Sequence, residues 1–188
     1  MGFLRARSLF AHCTHVSDSD LSFLASKNVS IAHCPLSNQY FSSRPLRLRE
    51  ILSTHSGTKV GLGCDIAGGY SISLLQNVRQ AILVSRSRGD PTLRIDWKEA
   101  LWLATRGGAL ALDLPNVGTF EEGQLFDAQL IHITPESGSR VDLFEGVERG
   151  RERDPFEELV EKWVSNGDDR DRAAVWCAGQ KIYSRASS

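Results

Sequence analysis

The sequence predicts an α/β fold with parallel strands, and three observations lead there. Short apolar runs at 8–13, 29–34 and 59–64 alternate with segments of helical periodicity. Within the runs successive residues are apolar, as in strands buried on both faces. Each run also ends at or beside an ionisable residue, namely His12, His33 and Asp65. In a parallel sheet or α/β barrel the carboxyl ends of the strands share one side, where ligands bind. The same reading therefore brings those three side chains together.

The first run reads Ser8-Leu-Phe-Ala-His-Cys13. Ser17 with Asp20 then marks a helix start, Leu21, Leu24 and Ala25 follow at helical spacing, and Lys27-Asn28 supplies the stop. Val29-Ser-Ile-Ala-His-Cys34 is the second run, and Pro35 prevents its continuation as a ladder strand. Pro45 is expected to open a helix carrying Leu46, Leu48, Ile51 and Leu52, ended by Gly57. Lys59-Val-Gly-Leu-Gly-Cys64 is the third run, closing on Asp65. After Gly68-Gly69 a long helix is expected over 71–88, with Leu74, Val78, Ala81 and Ile82 on one stripe. A second is expected over 96–111, through Trp97, Ala100, Leu101 and Ala104.

The character changes at Gly118, so two domains are expected, 1–117 and 118–188. A turn-rich approach leads to a strand over 126–133. Residues 136–153 are rich in Gly, Arg and Glu and read as loop. Asp154-Pro155-Phe156-Glu157 combines a helix cap, a proline at the first helical position and an early acid. Leu159, Val160 and Trp163 give that helix an apolar face. Residues 175–183 read as a hairpin turning at Ala178-Gly179.

Lys and Arg number 22 against 23 Asp and Glu, which argues against nucleic-acid binding through a broad basic surface. No apolar run reaches the roughly 18 residues of a membrane span. Four well-separated cysteines form no C-x-x-C pair, so free thiols in a reduced, cytoplasmic chain are expected, with those after the apolar runs buried.

Asp65 carries the strongest chemical signal. A carboxylate after an apolar strand, followed by two glycines, suits either a divalent metal or proton transfer. Alone it reads more simply as a loop or cap carboxylate. His12 and His33 suit ligation, acid-base work or substrate contact, and each alone reads more simply as a structural histidine. At three successive strand ends the functional reading outweighs the structural one. His15 reads as a loop residue, His55 as a helix-end cation, and His132 as part of the late strand. A cytidine-deaminase site would need H-x-E and P-C-x-x-C, and neither motif is present.

Beyond spacing, Phe10-Ala11-His12-Cys13, Ile31-Ala32-His33-Cys34-Pro35-Leu36-Ser37-Asn38 and Gly61-Leu62-Gly63-Cys64-Asp65-Ile66-Ala67-Gly68-Gly69 resemble consecutive blocks of the guanine deaminases of the amidohydrolase superfamily. Leu103-Ala-Thr-Arg-Gly-Gly-Ala109, the Gly118-x-Phe120-x-x-Gly123-x-x-Phe126-Asp127-Ala128 pattern and Gly167-Asp-Asp-Arg170 continue the resemblance in order. The last block favours guanine deaminases over cytosine or S-adenosylhomocysteine deaminases. Cys64, where Thr is usual, and Asp113, where Gly is common, depart from it.

The resemblance implies the C-terminal part of a (β/α)₈ barrel plus part of a small β-sandwich with an inserted helix. His12, His33 and Asp65 would end the sixth, seventh and eighth barrel strands. It implies a zinc hydrolase of purine catabolism that converts guanine and water to xanthine and ammonia, and a homodimer in the intact family. Asp65 would ligate zinc and take a proton from the zinc-bound water. His12 would hydrogen-bond the attacking hydroxide or the tetrahedral intermediate, and His33 would brace the strand end on the substrate side. The family's first-strand H-x-H, and its fifth-strand His with a Glu three residues later, are absent from these residues. The expectation is thus a truncated, self-associating chain with weak or no zinc binding and no activity by itself. Competing readings are a non-catalytic remnant or interaction module, a chain completed by a second polypeptide, or an aminohydrolase of another purine- or pyrimidine-like substrate.

Overall fold

A three-stranded parallel sheet anchors the first of two units, Met1–Pro115 and Asn116–Ser188. The structure, a computed structural model, describes residues 7–55, 57–133, 138–139, 141 and 154–185. The sheet consists of β1 (Leu9–Ala11), β2 (Ser30–His33) and β3 (Val60–Leu62), in that order. Phe10 lies opposite Ile31, and Ile31 opposite Val60.

Helix α1 (Asp18–Ser26) links β1 to β2. Ser17 caps it as the sequence predicts: Asp20 N–H donates to Ser17 Oγ, and Ser17 N–H donates to Asp20 Oδ2. Leu21 on this helix is buried, as are Ile31, Ile51, Val60, Val78, Ala81 and Leu103.

Helix α2 (Pro35–Phe41) departs from expectation. Pro35 does more than stop β2, because it occupies the first helical position, where its missing N–H costs no hydrogen bond and its fixed φ suits a helix. Helix α3 (Leu48–Thr54) begins three residues after Pro45. Leu46 and Leu48 are both buried, and an i, i+2 pair facing the core suits an extended entry rather than a helical turn.

Helix α4 starts late, at Leu74–Ser87. Its buried stripe is Asn77, Val78, Ala81, Val84 and Ser85, and Leu74 is exposed. The helix expected over 96–111 is two helices, α5 (Trp97–Ala104) and α6 (Arg106–Ala111), broken at Thr105. Gly107 and Gly108 have poor helix propensity, and tertiary packing exploits them. A Cβ on Gly107 would sit 2.9 Å from Val60 O, and one on Gly61 would sit 2.7 Å from Gly108 Cα. The glycines let α6 lie directly on β3. Gly61→Val should therefore lower the urea midpoint by the equivalent of about 1–3 kcal/mol. An unchanged midpoint would contradict this close packing.

Two forked ion pairs tie α3 to its neighbours. Arg49 donates to both Glu99 oxygens at 2.7 and 2.6 Å, and Arg88 to both Glu50 oxygens at 2.6 and 2.5 Å. The guanidiniums hold both carboxyls below their ordinary range.

The second unit carries an antiparallel sheet of β4 (Ala128–Ile131), β5 (Arg172–Cys177) and β6 (Gln180–Ser184). The expected strand over 126–133 is shorter because Asp127 turns away, accepting the Ala178 N–H at 2.6 Å, and the register shifts between Leu130 and Ile131. Ala178 and Gly179 both have positive φ, as a tight hairpin turn requires. Asp154 caps α7 (Pro155–Asn166) by accepting the Phe156 N–H at 2.9 Å. The Gly167-Asp-Asp-Arg170 block opens a helical turn over Asp169–Asp171, in which Asp171 is fully buried. Most of the expected loop over 136–153 lies outside the described residues.

Candidate active site

The carboxyl ends of β1, β2 and β3 place His12, His33 and Asp65 in one neighbourhood. His12 directly follows β1, and its N–H continues the ladder by donating to Ala32 O at 3.0 Å. The chain then reverses: His12 and Cys13 have φ of 68° and 51°. Asp65 sits three residues beyond β3 with φ of 49° and accepts the Gly69 N–H on its carbonyl at 2.5 Å. Left-handed φ is uncommon outside glycine, with His and Asp among the residues that adopt it most readily.

His12 Nε2 lies 3.9 Å from Asp65 Oδ2, with the two side chains 46% and 33% exposed. The pair is open to a ligand, and its separation exceeds a direct hydrogen bond. Gly68 sets the carboxylate's place, since a Cβ there would lie 2.7 Å from Asp65 Oδ2.

His33 is different. It ends β2 and is 1% exposed. Burial pushes its imidazole down to about 4, so it is neutral at ordinary pH. It lines a small space with Leu46, Arg49, Val84 and Arg88.

Asn38, on the second turn of α2, joins the two histidines. His12 Nδ1 donates to Asn38 Oδ1 at 2.8 Å, and Asn38 Nδ2 donates to His33 Nδ1 at 3.4 Å. Asn38 is 4% exposed. Sequence reasoning missed its role because it missed α2. The available signal was Pro35 as a first helical residue, which places Asn38 one turn in from the strand end.

Among the cysteines of this unit only Cys34 is buried; Cys13 and Cys64 are partly exposed, and Cys177 of the second unit is exposed. The expectation of burial after each apolar run fails for Cys13 and Cys64, which sit in the turns beyond the strands. Burial, reinforced by the Asp65 carboxylate, pushes the Cys34 thiol up to about 11. It is not a nucleophile at neutral pH. His15 is a loop residue near Ser42, and His55 ends α3. His132 lies just past β4 in the second unit, where its N–H donates to Asp171 O.

Residues 1–182 match the model of the amidohydrolase family. The chain belongs to this family. Among amidohydrolase relatives, the probable guanine deaminase of Schizosaccharomyces pombe is 37% identical over 184 residues, 95% of this chain and 33% of that protein. The crystal structure of guanine deaminase from C. acetobutylicum with bound guanine is 31% identical, with a TM-score of 0.74 over 93% of this chain and 39% of that one. Atrazine chlorohydrolase from Arthrobacter aurescens, complexed with zinc, is 25% identical, with a TM-score of 0.69 over 97% of this chain and 37% of that one. The chain thus spans between 33% and 39% of these proteins.

Among the described residues no group of three or more His, Cys, Asp or Glu could hold a metal ion, whereas a catalytic zinc takes three protein ligands. Asp65 offers one carboxylate, with His12 its only close ionisable neighbour among the sequence-predicted residues. No helix of the described residues is long and apolar enough to cross a membrane.

Proposed function

We propose that these residues form the carboxyl-terminal share of a guanine deaminase, which hydrolyses guanine to xanthine and ammonia. The observation that carries this reading is the approach of Asp65 Oδ2 to His12 Nε2 across the strand ends. Proton traffic between a carboxylate and an imidazole is what replacing an amino group by water demands. In this reading Asp65 accepts a proton from the attacking water. His12 holds the oxygen that attacks. His33 acts from behind, since its burial keeps it from substrate.

The strand assignment belongs to the same proposal: β1, β2 and β3 correspond to barrel strands six, seven and eight. Their parallel order supports this. The residues from 118 onward correspond to part of a β-sandwich with an inserted helix, supported by the antiparallel sheet and α7. Zinc is the proposed cofactor, with Asp65 one of its ligands. In this reading the remaining ligands come from the amino-terminal strands of the family, since among the described residues no group of three donors could hold a metal.

Two consequences follow for the 188 residues on their own. They bind zinc weakly or not at all and release no ammonia from guanine. They also self-associate, because among the described residues β1 and β3 have no outer partner strand, and Leu9 and Phe10 on β1 are 43% and 40% exposed. The test is to add a polypeptide carrying the amino-terminal strands of a guanine deaminase. Zinc binding, ammonia release from guanine and loss of self-association in sedimentation should appear together. Ammonia release by the 188 residues alone would overturn the division of the site. A zinc-loaded, folded complex that is inert toward guanine but active on another aminated heterocycle would overturn the substrate.

A further inference from the structure

We propose that Asn38 is a positioning residue that locks the tautomers of both histidines and leaves His12 Nε2 bare toward Asp65. This rests on the deaminase reading for its purpose, but not for its geometry. A carbonyl oxygen only accepts, so the 2.8 Å contact with Asn38 Oδ1 puts a proton on His12 Nδ1. In the neutral ring Nε2 then carries the lone pair. An amide nitrogen only donates, so the contact from Asn38 Nδ2 makes His33 Nδ1 an acceptor and puts its proton on Nε2. The two assignments are coupled: turning the amide over would reverse both.

Packing holds the three side chains in place. Asn38 is 4% exposed and held on α2 by a helix that starts at Pro35. His33 is 1% exposed and fixed at the end of β2, where its carbonyl accepts the Gly63 N–H at 2.9 Å. Asn38 thus has a rigid partner on one side and the half-exposed His12 ring on the other. Locking an imidazole tautomer through the ring nitrogen remote from the chemistry is a general means of preparing the reacting nitrogen.

The consequence lies between His12 and Asp65. With Nε2 bare, both facing atoms are acceptors, and 3.9 Å separates them. One water hydrogen bonded at about 2.8 Å to each atom spans that gap with its two O–H bonds roughly perpendicular. Both of its lone pairs are then left free of His12 and Asp65. With the opposite tautomer, His12 Nε2–H would turn a proton on that oxygen and occupy a lone pair instead.

The test is nitrogen-15 spectroscopy of labelled histidines in the 188-residue chain, at a pH well above the ordinary imidazole range. His12 is assigned with His12→Gln and His33 with His33→Gln. The expected spectrum has a protonated Nδ1 and a bare Nε2 for His12, and the reverse for His33. A protonated Nε2 with a bare Nδ1 on His12 overturns the proposal. Asn38→Leu should convert His12 to a mainly Nε2-protonated ring; a folded Asn38→Leu chain with an unchanged His12 pattern overturns it equally. If Asn38→Leu does not fold, the wild-type spectrum alone decides. In the reconstituted enzyme Asn38→Leu should lower kcat more than tenfold with little change in KM. A chain with the expected tautomers whose complex is inert toward guanine refutes the deaminase reading and leaves the tautomer lock standing.

Discussion

Asp65→Asn should abolish guanine deamination in a complex completed with the amino-terminal strands of a guanine deaminase. The substitution is nearly isosteric, but it removes the proton acceptor that faces His12 at 3.9 Å. Groups that act as a unit in catalysis fail together, so a loss on the order of 10³-fold or more in kcat is expected. Gly68→Ala should reach a similar end by a different route. Its new Cβ would lie 2.7 Å from Asp65 Oδ2 and 3.3 Å from Cγ, so the carboxylate must move while keeping its charge. A displacement near 1 Å costs roughly 10²-fold. Both variants are scored by ammonia release, with circular dichroism confirming the fold. An Asp65→Asn complex retaining more than a tenth of the activity would remove Asp65 from the proposed role.

Stability should fall as the pH drops from about 6.5 toward 4, a decline that begins well above the carboxylate range. His33 is the cause. Its folded pKa is about 4 against an ordinary 6.5, because burial disfavours the charged ring. Between those values the unfolded chain takes up a proton that the folded chain refuses. Unfolding is therefore favoured increasingly as the pH falls through this window, and above it the contribution is flat. The full effect is on the order of 3 kcal/mol. Glu50 and Glu99 act lower down: held below their ordinary range by Arg88 and Arg49, they contribute stability above about 4.5 that is lost as the pH falls through their folded values. The two phases are thus separable in urea midpoints measured across pH. His33→Leu should flatten the upper phase and leave the lower one. A wild-type midpoint constant from pH 7 to 5 would show that His33 is not held neutral by burial. Protonation of His33 Nδ1 would also set a donor against Asn38 Nδ2, so this phase should disturb His12 as well.

Much of the fold was legible because local signals and packing agree. The three apolar runs are strands; β2 and β3 are largely buried, as an apolar run in a parallel sheet predicts, whereas all three residues of β1 are exposed. Ser17 and Asp154 cap helices where their side chains predict, because a cap is a contact within one turn of chain. Ala178-Gly179 turns a hairpin for the same local reason. The misreadings come where local signals are ambiguous. Pro35 stops a strand and starts a helix with the same ring geometry, and only the second role carries Asn38 into the site. The 96–111 segment has a continuous helical pattern, yet it breaks at Thr105 so that Gly107 and Gly108 can meet β3.

By itself the sequence determined the order of strands and helices and which ionisable residues end the strands. Parallel pairing is a consequence of that order, so the convergence of His12, His33 and Asp65 needed no further information. Tertiary structure alone decided what each of the three can do. His12 and Asp65 face solvent across 3.9 Å, whereas His33 is buried beneath them. Chain order cannot distinguish these cases, because the difference depends on which way each chain turns after its strand. His12 and Asp65 adopt left-handed φ, and His33 runs directly into α2. Asn38 reaches His12 across 26 residues of chain, and a contact of that span leaves no periodic trace in a sequence.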